Sequence, residues 1–381
     1  MFLLVTSSRG STQGSAGAWR HPLGIIIFFP KVQVIEALRG QGTAGAMSFF
    51  KLSLFEIARK PRLSPVQRDV LLAALPGTLV MTGYFGPGTL VNILLGGLVA
   101  LACGYAVAAL RVRDAIAASR DLSALITSTL LCIALPPYAP WWLILLGVLS
   151  SELLGKQVFG GQGYHPFNPA MVGYAILLIS FPAQMSAWPS PRGLAEVPSF
   201  ADTIRHLIAP GTIDAVTAAT PLDLLRQNTG LLFEELLLQS PELTRWAGVG
   251  WFEVNLAFLL GGLFLLHRRI FSWHAPIAML AAVTLCALIG YDGGSSASGG
   301  SAIFHLFSGA TMFAAFFIIT DPFCCAKSKK GKIIFGSLIG FLVYLIRVSG
   351  DYPDAFAFAV LIVNFCTPFI DYCTKPKAVN T

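Results

Sequence analysis

The run Asp214-Ala215-Val216-Thr217-Ala218-Ala219-Thr220-Pro221 is the part of this chain best suited to chemistry. A threonine hydroxyl among small residues, with an acid a few positions upstream, is an acceptor that a group-transferring enzyme can reach. It is the kind of hydroxyl that a flavin-attaching enzyme needs to reach. Ala215, Ala218 and Ala219 keep the approach open, while Asp214 and Thr217 can orient the segment through side chain to backbone hydrogen bonds. Pro221 biases Thr220 toward extended backbone and stops a helix from growing back over it. The same residues carry a plainer reading, in which Thr220-Pro221-Leu222-Asp223 is the N-cap of the helix that follows. A second run of small residues, Ser308-Gly309-Ala310-Thr311, lies in an apolar segment, where such runs ordinarily serve close helix packing. Thr311 is therefore a candidate for the lining of a pocket more than for attachment.

The first run belongs to the only long polar stretch, 183–250. The 381 residues are 55% hydrophobic and 12% charged, against about 25% charged in soluble domains. Apolar runs recur at 70–85, 88–110, 122–136, 141–155, 169–182, 251–267, 275–290, 303–319, 333–348 and 355–371, most of them near the ~20 residues that span a bilayer as helix. The chain is thus expected to be an all-α polytopic membrane protein with about ten transmembrane helices. Its net charge of +7 reads as membrane topology, with lipid rather than nucleic acid as the partner. Basic residues cluster before the first run and after every even-numbered one, as at Arg111, Lys156, Arg268 and Lys327–Lys332, whereas the alternate short loops have none. The positive-inside rule then places both termini in the cytoplasm and the polar stretch in the periplasm of an inner membrane. Five runs on each side of that stretch predict a 5+5 inverted repeat. Four parts follow: a non-native or disordered extension over 1–46, with Met47 as natural start; a first transmembrane half over 47–182; the outward loop over 183–250; and a second half with a cytoplasmic tail over 251–381.

Glu152, Asp321, Arg347, Asp354 and Asp371 lie in or beside apolar runs, where ionisable groups are expensive and often mark ion paths. The four acids are the ion-path candidates. Each has a structural alternative: Asp321 capping a span end, Arg347 pairing with Asp351 or Asp354, Asp371 resting at the interface. Gly160-Gly161-Gln162-Gly163 lacks the Lys-Ser/Thr of a phosphate loop and is read as a re-entrant element or a tight turn. The seven cysteines include no CxxC pair, so no metal ligand is assigned.

The segment from Lys156 through Gly160-Gly161-Gln162-Gly163-Tyr164-His165-Pro166-Phe167-Asn168-Pro169 to Pro182 resembles the RnfD family of the Rnf (Rsx) electron-transport complexes, which is related to the B subunit of the sodium-pumping NADH:quinone reductase. The likeness continues through Asp214–Asp223, His305–Thr311, Thr320-Asp321-Pro322, Tyr352–Asp354 and Asp371-Tyr372, in matching order from Met47 to Pro376. It departs at Ala218, where the family often has Gly, and at His165, where Asn is expected. The resemblance implies a membrane subunit that carries electrons through covalent FMN on Thr220, with a second flavin such as riboflavin, and that couples electron transfer to cation movement. It also implies partners: a flavin transferase for maturation, and the iron–sulfur, flavin-carrying and membrane subunits of the complex, without which the chain is not active. A secondary transporter without a redox cofactor is the competing class, and a purely structural membrane anchor a further one.

Overall fold

The computed structural model describes residues 63–374, apart from 111–121, 162, 209–216, 229, 245, 292–299 and 351–355. Asp214, Asp354 and the extension 1–46 lie outside the described residues. Five helices precede the long loop: α1 Leu63–Phe85, α2 Gly88–Leu110, α3 Ser123–Ala134, α4 Trp141–Glu152, which runs on as a π turn over Leu153–Gln157, and α5 Pro169–Ser180. Within the loop, which opens on a single helical turn over Pro182–Met185, β1 Trp188–Pro189 pairs antiparallel with β2 Thr217–Ala218, and the longer helices are α6 Phe200–Ile208, α7 Pro221–Gln227 and α8 Phe233–Gln239. After it come α9 Trp251–His267, α10 His274–Ile289, α11 Ala302–Phe307, α12 Thr311–Phe313 with a π turn over Ala314–Ile318, α13 Lys329–Ser349 and α14 Phe356–Cys373.

Each apolar run of the sequence falls on helix, and the all-α polytopic class holds. Among the described residues α2, α13 and α14 are long and apolar enough to cross a membrane, and α3, α5, α9 and α10 are shorter apolar helices. The outer surface agrees, since Leu79, Leu94, Leu98, Phe365 and Phe369 are all exposed. Apolar cover on this scale belongs against lipid rather than water.

Two segments differ from expectation. The run 122–136 yields only the 12 residues of α3, about 18 Å of helix, so irregular backbone continues the segment. The run 303–319, expected as one span, breaks at Ser308–Ala310 between α11 and α12. Gly309 there has φ 59°, a left-handed conformation that glycine adopts without strain. Backbone freed in this way is tolerated at membrane depth only where protein groups meet it. Asn92 Nδ2 donates to the Pro136 carbonyl at 2.9 Å and the Tyr138 hydroxyl to the Phe85 carbonyl at 3.0 Å, both buried.

Packing joins the two halves. α1 lies against α9 and α5 against α14, while α2 packs on α4 in the first half and α10 on α13 in the second. The α10–α13 pair is close because Gly336 and Gly340 sit one turn apart on the buried stripe of α13. A methyl group at either would collide with the carbonyl oxygens of Ala275 and Met279. The loop carries a small core of its own, Leu222, Leu225, Leu236 and Leu243, closed by Phe304 of α11. Gly336→Leu is expected to push α10 and α13 apart and cost about 1–3 kcal/mol, read as a lower midpoint of heat denaturation in detergent. Leu338→Ala, on the exposed face of α13, should leave that midpoint in place.

Candidate functional site

Thr220 stands where the loop meets the helices. The β1–β2 pairing ties Thr217 to Pro189 and Ala218 to Trp188, which delivers Thr220 to the start of α7. Its backbone is extended (φ −69°, ψ 159°), and a reciprocal capping box forms with Asp223. The Thr220 hydroxyl donates to Asp223 Oδ2 at 2.6 Å, the same carboxylate oxygen accepts from the Thr220 amide at 3.1 Å, and the Asp223 amide reaches Thr220 Oγ1 at 3.3 Å. The plainer N-cap reading therefore describes the local geometry. It does not use up the residue, because Thr220 is half-buried and faces a cavity.

That cavity has a volume of about 360 Å³, within the ~300–1,000 Å³ usual for small-molecule sites. Its walls include Met81, Tyr174, Trp188, Trp251, Phe258 and Phe313, with Asp223 and Arg226 of α7 as charged groups. Trp188 and Trp251 lie 5.0 Å apart by ring centroids, and Phe85 packs on Trp251 at 5.2 Å. The loop thus closes over the helices through aromatic contacts at the mouth of the cavity.

The helix break forms the deep wall. Asn255 of α9 donates through Nδ2 to the carbonyls of Phe307 and Gly309 at 2.9 and 2.8 Å, and its Oδ1 accepts from the Met312 amide at 3.0 Å. Arg347 of α13 donates to the His305 carbonyl at 2.8 Å and to Thr311 Oγ1 at 3.1 Å, and its guanidinium lies over the Phe356 ring. Thr311 is fully buried, and its hydroxyl lies 2.8 Å from the His305 carbonyl and 2.9 Å from that of Ser308. Gly309 and Ala310 line the cavity, and Thr311 stands behind them. Asp351 and Asp354, the expected partners of Arg347, lie outside the described residues.

A second cavity, about 140 Å³, opens beyond the π turn 314–318 toward the lysine-rich end of the bundle. Lys156, His165, Asn168 and Asp321 are among its lining residues. Glu152, an ion-path candidate by sequence, is buried and paired: Lys156 Nζ lies 3.0 Å from Oε1 and 3.2 Å from Oε2, with Thr127 Oγ1 at 3.4 Å. Lys156 is accordingly no loop cation, contrary to its place in the charge pattern. Asn168 caps α5 by accepting from the Met171 amide and donates to the Ile318 carbonyl at 3.2 Å, so it holds the π turn as well. Asp321 accepts from the Phe323 amide at 3.0 Å in a local turn, and Asp371 accepts from the Lys327 amide at 2.9 Å. Asp321 and Lys156 share the second cavity; Asp371 is placed apart, at the segment leading into α13. The glycine run forms a turn, with Gly160, Gly161 and Gly163 all at positive φ.

The same turn brings His165 against Asp321 and Cys324, a grouping that no spacing in the sequence points to. Cys324 Sγ is 3.4 Å from His165 Nδ1 and 3.7 Å from Asp321 Oδ2. Burial pushes the Cys324 thiol well above its usual range, and Asp321 adds to the shift. Burial likewise pushes the His165 imidazole down, against the opposing pull of Asp321.

Residues 56–380 match the NQR2, RnfD, RnfE family. The chain belongs to this family. It is 48% identical over 322 residues to the D component of the ion-translocating oxidoreductase complex of Cellvibrio japonicus, covering 83% of this chain and 90% of that protein. The corresponding protein of Pseudomonas aeruginosa strain LESB58 is 48% identical over 317 residues, with 83% and 91% covered. That of Vibrio cholerae strain O395 is 44% identical over 348 residues, with 87% and 99% covered. Family membership accords with the motif resemblance drawn from Lys156–Pro182 and the runs after it.

Glu152→Gln is expected to leave Lys156 buried without its counter-charge, which costs about 3–5 kcal/mol in such pairs. The double variant Glu152→Gln/Lys156→Met should recover most of that stability, measured by heat denaturation of both proteins in the same detergent.

Proposed function

We propose that this chain is the membrane subunit of an ion-translocating oxidoreductase complex, holding FMN by a phosphoester on Thr220. The observation that carries the proposal is the position of the Thr220 hydroxyl, on the wall of an aromatic-lined cavity of suitable size. The residues fit the group. Trp188, Trp251 and Tyr174 offer stacking surfaces, and Arg226 offers positive charge to a phosphate. A bound FMN supplies one-electron and two-electron transfer, and the protein tunes and positions it. During attachment, Asp223 Oδ2 is placed to accept the Thr220 hydroxyl proton. Once attached, the aromatic mouth keeps water from the ring, and the Asn255 clamp keeps the wall in place.

In the same proposal the ten apolar segments are ten crossings in a 5+5 inverted repeat. Paired contacts in the two halves support that arrangement, as does the alternation of basic loops. Thr220 then faces the periplasm, both termini the cytoplasm, and the other subunits supply and remove electrons. A cation path would use the lysine-rich end, where Asp321 borders the second cavity. The secondary transporter is the second reading, supported by the break at Ser308–Ala310 with a cavity on each side of the π turn.

The test is in-gel fluorescence of the denatured chain after expression with a flavin transferase. Wild type should fluoresce at the mass of this chain, Thr220→Val should be dark, and Asp223→Asn should lose severalfold. Fluorescence retained in Thr220→Val would place the flavin elsewhere, and a dark wild type would favour the transporter.

A further inference from the structure

We propose that His165, Asp321 and Cys324 form a three-ligand site for a divalent transition-metal ion of the zinc class, with its fourth position open to the second cavity. Their ligand atoms all lie within 4.8 Å of one another. Bonds of ~2.0–2.3 Å around a tetrahedral zinc ion put neighbouring ligand atoms roughly 3.3–3.6 Å apart. The two edges from Cys324 Sγ, 3.4 Å to His165 Nδ1 and 3.7 Å to Asp321 Oδ2, are already close to that geometry. The third edge, from His165 to Asp321, is no longer than 4.8 Å.

The surroundings orient the ligands as metal sites do. Asp321 Oδ1 accepts from the Phe323 amide, which leaves Oδ2 turned toward the sulfur. The Phe323 ring packs edge-on to His165 at 5.3 Å. Cys324 is 3% and His165 4% exposed, and His165 and Asp321 form part of the wall of the second cavity, with Cys324 behind them. Three protein ligands with an open fourth position make a site whose ion can exchange or take a further ligand. One thiolate, one imidazole and one carboxylate favour zinc or cobalt over magnesium or calcium, which prefer all-oxygen shells. Without metal the same atoms can hold protons instead: the thiol donates to Nδ1, or a protonated Nδ1 donates to the Phe167 carbonyl at 3.2 Å. Binding would couple the turn that leads into α5 to the segment that leads into α13, across 159 residues of sequence.

The test uses the full chain in detergent, titrated with Co²⁺ as the spectroscopic probe. The expected result is one Co²⁺ per chain with a thiolate-to-metal charge-transfer band, displaced by Zn²⁺ but not by Mg²⁺. Cys324→Ser should abolish the band, His165→Asn should weaken binding by more than about tenfold, and Cys325→Ser should leave it unchanged. Heat denaturation of each variant without metal separates a lost ligand from a lost fold. As a second measurement, Zn²⁺ should slow maleimide labelling of Cys324 in wild type, followed on the peptide that carries it. A titration with no thiolate band and no protection of Cys324, or a band that persists in Cys324→Ser, overturns the site. The flavin readout on Thr220 is independent of either result.

Discussion

A continuous helix satisfies its own backbone, but the segment 302–318 is not continuous, and lipid supplies no water to the groups it frees. Each unmet carbonyl or amide at that depth is costly, so the break exists only because α9 and α13 bring partners to it. Asn255 meets both sides of the gap, and Arg347 meets the end of α11 and the hydroxyl of Thr311. Close packing of α13 on α10 through Gly336 and Gly340 keeps Arg347 at that distance. The deep wall of the large cavity is therefore a consequence of backbone satisfaction, and whatever the cavity holds depends on the same few hydrogen bonds.

The π turn 314–318 separates two environments. Ala314 and Ile318 border the cavity beneath the loop, and Phe316 and Phe317 border the one at the lysine-rich end. Asn168 bonds to the carbonyl of Ile318, so the partition is anchored to the start of α5 in the first half. A wall shared by two cavities is an arrangement in which motion of that wall can be felt on both sides. Electron transfer and cation movement need such a shared element if they are to be coupled.

Charge at the lysine-rich end is organised by burial. The Glu152–Lys156 pair is removed from solvent, with Thr127 as an added partner. Asp69 and Arg268, at 3.0 Å, join the ends of α1 and α9 nearer the surface, where the contribution is smaller. A buried pair of this kind is weak support for stability but strongly constrains geometry, since neither partner can leave without stranding the other. It sits beside the π turn of α4 and so positions the glycine turn that carries His165.

Class, segment order and local caps were legible in the sequence, because each rests on interactions within a few residues. Hydropathy located the apolar helices, Asn168-Pro169 marked the start of α5, and Thr220 to Asp223 announced a cap that the structure contains. Glu152 and Lys156 were also within reach, being four residues apart, but the pattern of basic loops makes Lys156 look like a loop cation. The helix break showed itself only as a run of small residues, since Ser308–Ala310 fits close packing as readily as a gap. What tertiary structure alone decided is the meeting of distant groups: Asn255 with 307–312, Arg347 with His305 and Thr311, His165 with Cys324, and Thr220 and Trp251 on the walls of one cavity. No periodicity encodes those contacts. They depend on which helix faces are brought together when backbone and charge have to be satisfied without water.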